Sequence, residues 1–150
     1  MTSEEHELLP PSKVLVVDDN VQNRELLVAY VEDIPNVGTV EAANGIEALT
    51  KVAEDPPDLI LLDIMMPRMS GFEVCRRLKT DPRTRGIPVV MVTALDEMGD
   101  HERAMDSGTD EFLTKPVNRA ELVDRVTSLL RLHHVHRKRR AEKGGEEPES

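Results

Sequence analysis

Five short aliphatic runs, separated by amphipathic stretches, constrain this chain more than any other feature of its sequence. The runs are Lys13–Asp18, Thr39–Ala42, Leu59–Asp63, Val89–Thr93 and Glu111–Thr114. They are too short for helices, and the first, third and fourth are almost continuously apolar, as strands buried on both faces are. Between them apolar residues recur at helical spacing. Leu26, Leu27, Tyr30, Val31 and Ile34 form one stripe, Ile46, Leu49 and Ala53 a second, and Val74, Cys75 and Leu78 a third. A last stripe runs through Leu122, Val123, Val126, Leu129 and Leu130, with Asn118 and Glu121 spaced as a capping box at its start. This alternation predicts an α/β fold: a doubly wound (βα)5 parallel sheet of flavodoxin-like type, five-stranded, with right-handed crossovers and helices on both faces. The fourth helical segment, roughly Asp96 to Ser107, has the least apolar content and is interrupted by Gly99, so it is expected to open at low cost and to be a moving part.

A chain of 150 residues has room for one such core. Residues 1–12 are expected to be a flexible tail, 13–132 the folded domain, and 133–150 a basic then acidic tail, in which a helix extension gives way to disorder. The net charge of −10 argues against nucleic acid as a partner of the whole chain. The single cysteine, Cys75, cannot form an internal disulfide, and the N-terminus lacks the apolar core of a signal peptide. The longest apolar stretch, Leu59 to Pro67, is broken by Asp63 and is too short to span a bilayer. The expected compartment is the cytoplasm, with no membrane partner. The basic segment His133–Arg140 is read as a cationic continuation of the last helix, favoured by the helix dipole; a contact for anions, or a metal site from His133, His134 and His136, is the alternative.

The polar residues that matter sit where the apolar runs end. Asp18 and Asp19 close the first run, Asp63 the third and Thr93 the fourth, and Lys115 follows the fifth. In an open parallel sheet the carboxyl ends of the strands share one edge, where ligands gather. Acids brought together there raise one another's pKa unless a cation compensates. A hard divalent ion with oxygen ligands, Mg2+ above all, resolves the conflict and leaves positions for a phosphate. With an ammonium from Lys115 and a hydroxyl from Thr93, one carboxylate is equipped as a nucleophile toward phosphorus. Asp63 follows the most hydrophobic run and is the candidate.

The stretches Val14–Asp19 (VLVVDD), Leu59–Lys79 (LILLDIMMPRMSGFEVCRRLK), Pro88–Leu95 (PVVMVTAL) and Asp110–Pro116 (DEFLTKP) resemble receiver domains of bacterial two-component response regulators, most closely those of diguanylate-cyclase regulators. The resemblance covers about residues 13–132. It implies that Asp63 accepts a phosphoryl group from a histidine kinase or histidine-phosphotransfer protein. It implies that Asp18, Asp19, Asp63 and the backbone carbonyl of Met65 hold Mg2+. Lys115 would contact the bound phosphoryl group across a cis bond to Pro116, Thr93 would move toward that group, and Phe112 would turn inward. Small Ala94 would leave the acceptor accessible. The face of the fourth helix, fifth strand and fifth helix, roughly 96–132, would read out the state by partner binding or homodimerisation. The donor protein would dock near Asn23–Leu27 on the first helix. Met65 and Leu95 would flank the hydrolytic water without orienting it, so a phospho-form lasting minutes or more is expected. The chain would act as a switch, not an enzyme, with a stand-alone receiver expected over a piece of a longer regulator such as a diguanylate cyclase.

Two rivals come from other classes. An aspartyl-phosphate phosphohydrolase of the haloacid-dehalogenase type would show Asp-x-Asp after its first strand, whereas Asp18 and Asp19 are adjacent. A flavin-binding module would need a phosphate-binding loop after the first strand, and none is present.

Overall fold

The structure, a computed structural model, describes residues 8–94, 102–103 and 105–142. Its strands are β1 (Ser12–Val17), β2 (Val37–Ala42), β3 (Leu59–Asp63), β4 (Val89–Thr93) and β5 (Glu111–Thr114). They form one parallel sheet in the order β2-β1-β3-β4-β5. The crossovers are α1 (Val21–Glu32), α2 (Gly45–Glu54) and α3 (Gly71–Thr80), and a C-terminal helix (Arg119–Glu142) closes the chain. Residues 102, 103, 105 and 106 are helical, Ser107 already lies in the turn that follows, and the rest of the expected fourth helix falls outside the described residues. No helix among the described residues is long and apolar enough to cross a membrane.

Each helix start is fixed by its cap. The side chains of Asn20, Asn44 and Ser70 accept from the backbone N–H three residues on, satisfying a donor that the helix itself leaves open. Asn118 does the same for Glu121 at 2.9 Å, as the sequence spacing predicts.

The sheet divides the interior into two apolar layers. Leu15, Val17, Ile60, Leu62, Val89 and Met91 face α2 and α3 on one side. Val14, Val16, Leu59, Leu61, Val90 and Val92 face α1 and the C-terminal helix on the other. The alternation follows from the two-residue period of a strand. On α1 the inward residues are Leu27 and Val31, whereas Leu26 points outward. The stripe expected on α2 is turned: Gly45, Ala48 and Val52 face inward, and Ile46 is exposed. A Cβ at Gly45 would lie 2.8 Å from Val74 Cγ2, so α2 approaches α3 too closely for large side chains on that face.

The two expected tails meet the body at the end of the sheet opposite the acids. Leu9 is buried in the core layer beside α1, so order begins before residue 13. The C-terminal helix continues through the basic segment, and its cationic end is fastened down. Asp58, just before β3, accepts from Lys13 N at 2.9 Å, from Arg137 Nη1 at 3.0 Å and from His133 Nε2 at 3.2 Å. Ser12 Oγ donates to Pro10 O at 2.7 Å, which uses its only hydrogen. It therefore accepts from His134 Nε2–H at 2.8 Å, which fixes that tautomer. Burial holds the His133 imidazole below the usual histidine range, with Asp58 opposing the shift. Asp58→Ala leaves the Lys13 N–H and His133 without their acceptor. It is expected to cost about 1–3 kcal/mol in urea denaturation and to speed amide exchange selectively from residue 131 onward.

Candidate functional site

The parallel register brings the polar strand ends to one edge. Val17 pairs with Leu62 and Asp63 with Val92, so Asp18 follows on the strand beside the acceptor candidate. Asp63 is 5% exposed and Asp18 1%, while Asp19 faces solvent. Each of the three acids offers one oxygen, and these oxygens all lie within 4.8 Å of one another.

Lys115 is the compensating charge. Its Nζ lies 3.3 Å from Asp18 Oδ2 and 3.5 Å from Asp63 Oδ1. The Lys115 N–H donates to Thr93 O at 2.8 Å, extending the β4–β5 ladder one step, and the Lys115–Pro116 bond is cis. Asp18 Oδ1 also accepts from Asn20 N at 2.9 Å. The ammonium does not fully offset the burial of Asp63. Burial, and then the nearby Asp18 carboxylate, push the Asp63 carboxyl up to about 6 from an ordinary 3.8. The unbalanced negative charge and the hard oxygen donors fit a divalent cation of the Mg2+ type.

The loop after β3 wraps tightly around the acceptor. Gly71 N donates to Ile64 O at 2.9 Å, and the chain passes through a left-handed conformation at Arg68, φ 72°. Met65 stands 61% exposed beside the acid. A cleft of about 360 Å3 runs along this loop, lined by Ile64 to Pro67, Ser70, Phe72 and Arg103, and the Arg103 guanidinium lies over the Phe72 ring at 4.2 Å.

The structure therefore brings together Asp18, Asp19, Asp63 and Lys115, with Thr93 fully buried at the end of the adjacent strand and Ala94 exposed after it. Phe112 is half-buried, level with Met91 and packed against the layer that faces α2 and α3. Leu95 lies outside the described residues. Sequence reading missed two residues here. Gly71 abuts the Asp63 backbone, where an added Cβ would fall 2.3 Å from Asp63 O. Arg24 reaches back from α1 to the Asp18 carbonyl at 2.8 Å. The first has a signal in the Ser-Gly that opens α3; the second has none, since its partners are set by the tertiary fold.

Comparison with known proteins agrees with this geometry. The family model described as "Response regulator receiver domain" matches residues 14–127. Response regulator PleD of Caulobacter vibrioides is 50% identical over 125 residues, 83% of this chain but 27% of that protein. The polar-differentiation response regulator DivK of Brucella anthropi is 38% identical over 120 residues, 80% of this chain and 97% of that protein. The signal receiver domain of a histidine kinase from Syntrophus aciditrophicus superposes with a TM-score of 0.75 at 36% identity, covering 79% of this chain and 89% of that one. This chain belongs to the response regulator receiver domains of two-component signalling.

Proposed function

We propose that this protein accepts a phosphoryl group on Asp63 from a phosphohistidine of a histidine kinase or histidine-phosphotransfer protein. Receiver domains are phosphorylation switches that histidine kinases phosphorylate and that bind Mg2+ at their acidic pocket. The observation that carries the reading is the buried Asp63 carboxylate, flanked by Asp18 and by the Lys115 ammonium at 3.5 Å. An Asp63 carboxylate oxygen forms the new bond to phosphorus. The phosphorus–nitrogen bond breaks, and its electron pair stays on the histidine ring nitrogen. Lys115 is placed to bind a phosphoryl oxygen of the product, and the Thr93 hydroxyl to donate to another. Asp18, Asp19, Asp63 and the Met65 carbonyl would hold Mg2+. That ion, when bound, neutralises charge on the transferring group.

The changed state passes through Thr93 and Phe112 to the face of residues 96–132, where a protein partner or a second copy reads it. Val21, Leu26 and Met65 are exposed apolar side chains on α1 and the acceptor loop, and suit a docking helix from the donor protein. The receiver itself is read as a cytoplasmic switch rather than an enzyme, expected to act alone. In a longer regulator such as a diguanylate cyclase any catalysis would belong to another domain.

Native mass spectrometry with Mg2+ and acetyl phosphate tests it. One added phosphoryl group is expected on the native protein and none on Asp63→Asn; equal uptake by both would remove Asp63 from the role. A doubled mass on phosphorylation would identify homodimerisation as the output. After the donor is removed the adduct is expected to persist for minutes or more. Met65 is apolar and cannot orient the attacking water, and Leu95 is assigned the same effect.

A further inference from the structure

The acids that follow β1 lie where its ladder ends. The last backbone bond from this strand to β2 is Asp18 N to Ala42 O at 3.2 Å, and the first bond of α1 is Arg24 N to Asn20 O at 3.0 Å. Asp18 and Asp19 are carried on the turn between these two bonds, and they face a third carboxylate that repels them. Lys115 offsets part of that repulsion and Asn20 N–H holds Asp18 Oδ1, and the Asp18 backbone carbonyl has a hold of its own.

Arg24 is the group in place. It sits one turn into α1, and its side chain is 15% exposed. Its Nη1 donates to the Asp18 carbonyl oxygen at 2.8 Å, and its Nε donates to Glu41 Oε1 on β2 at 2.8 Å. One planar fork thus joins α1, the end of β1 and the neighbouring strand β2.

We propose that Arg24 is a positioning residue for the divalent-cation site: it fixes the Asp18 backbone so that the Asp18 and Asp19 carboxylates converge with that of Asp63. Two details suit it to that work. The guanidinium binds a carbonyl and not a carboxylate of the cluster, so Arg24 itself takes up no acid oxygen that the cation would use. Glu41 balances its charge, so an approaching divalent ion meets a neutral pair. A lysine in its place offers a point donor instead of a fork and can keep one of the two bonds well, but not both.

The inference rests on the phosphoacceptor reading above, and its test separates the two. Mg2+ binding to the full chain is measured by titration calorimetry for the native protein, Arg24→Met, Arg24→Lys, Glu41→Gln and Asp19→Asn. Arg24→Met is expected to weaken Mg2+ binding about 10-fold, the scale on which groups that orient metal ligands act. Arg24→Lys should recover part of the loss, and Glu41→Gln should show a smaller loss. Thermal denaturation in metal-free buffer is read alongside. An arginine that only packs would, when replaced, lower the melting temperature and leave the Mg2+ dissociation constant of the folded protein unchanged. That outcome overturns the proposal, as would native affinity in both Arg24→Lys and Glu41→Gln if Arg24→Met does not fold. Failure of the native protein to bind Mg2+, or native affinity in Asp19→Asn, would instead sink the cation site itself, and this inference with it.

Discussion

Asp63→Asn is expected to be more stable than the native protein at neutral pH in metal-free buffer, by about 3 kcal/mol. The cause is the burial of Asp63, and after it the Asp18 carboxylate, which hold the Asp63 carboxyl at about 6 against an ordinary 3.8. Above pH 6 both folded and unfolded chains carry the ionised acid, and the folded state bears the whole cost of keeping it there. At about 1.36 kcal/mol for each pH unit between the two values, that cost is roughly 3 kcal/mol. Between pH 6 and 3.8 the folded protein binds a proton that the unfolded chain has not yet taken up, so native stability rises as the pH falls through this window. Below it the cost is gone. The amide keeps the shape of the acid without its charge, so the two proteins should converge near pH 4. Urea denaturation at pH 7.5 and at pH 4.5, where about a third of the gap should remain, follows the convergence. Added Mg2+ should stabilise the native protein and not the variant, narrowing the gap at pH 7.5. An amide variant less stable than the native protein at pH 7.5 would show that Asp63 carries no such cost.

Gly71→Ala is expected to be the most damaging methyl group that could be added at a glycine among the described residues. The added Cβ would fall 2.3 Å from Asp63 O, 2.8 Å from Ile64 Cα and 3.0 Å from Asp63 C. All three obstacles are backbone, so no side chain can swing aside. Either the start of α3 lifts off, breaking the Gly71 N to Ile64 O bond, or the end of β3 is pushed inward. The expected loss is about 3 kcal/mol, the upper part of the range for overfilled sites. Phosphoryl uptake should fall further than the folded fraction does, because the displaced backbone is the acceptor's own. Gly38→Ala is the matched control. A Cβ there meets nothing within 4 Å, and its effect should stay within about 0.5 kcal/mol.

The strands β1, β3 and β4 were legible in the sequence because a parallel sheet covered on both faces demands unbroken aliphatic runs. The edge strands β2 and β5, broken by Gly38, Glu41 and Glu111, were legible through their alternation with helical stretches. The acid cluster was legible for a related reason. Parallel strands place their carboxyl ends at one edge, so a polar residue after each run is a prediction of proximity. Side-chain direction on the helices was less legible. On α2 the large Ile46 drew the eye and is exposed, and Leu49 does pack against the core, yet the face that meets α3 is the small one, Gly45, Ala48 and Val52. Hydrophobicity measures what a side chain gains from burial and not how near two backbones must come. Leu9 escaped because a single apolar residue has no period. Arg24 and Asp58 escaped because their roles come from partners 17 and 79 residues away, Glu41 and Arg137.

The division of the interior by the sheet carries a consequence for how such a chain changes over generations. Substitutions among α2, α3 and their strand residues must be compensated within that layer, and those among α1 and the C-terminal helix within the other. Across the sheet the effects of separated substitutions should largely add. A lineage can therefore rework the helices on one side while those on the other keep their sequence, provided the strands stay aliphatic. The chemistry at the strand ends belongs to neither side, so recognition can diversify while the reaction is inherited intact.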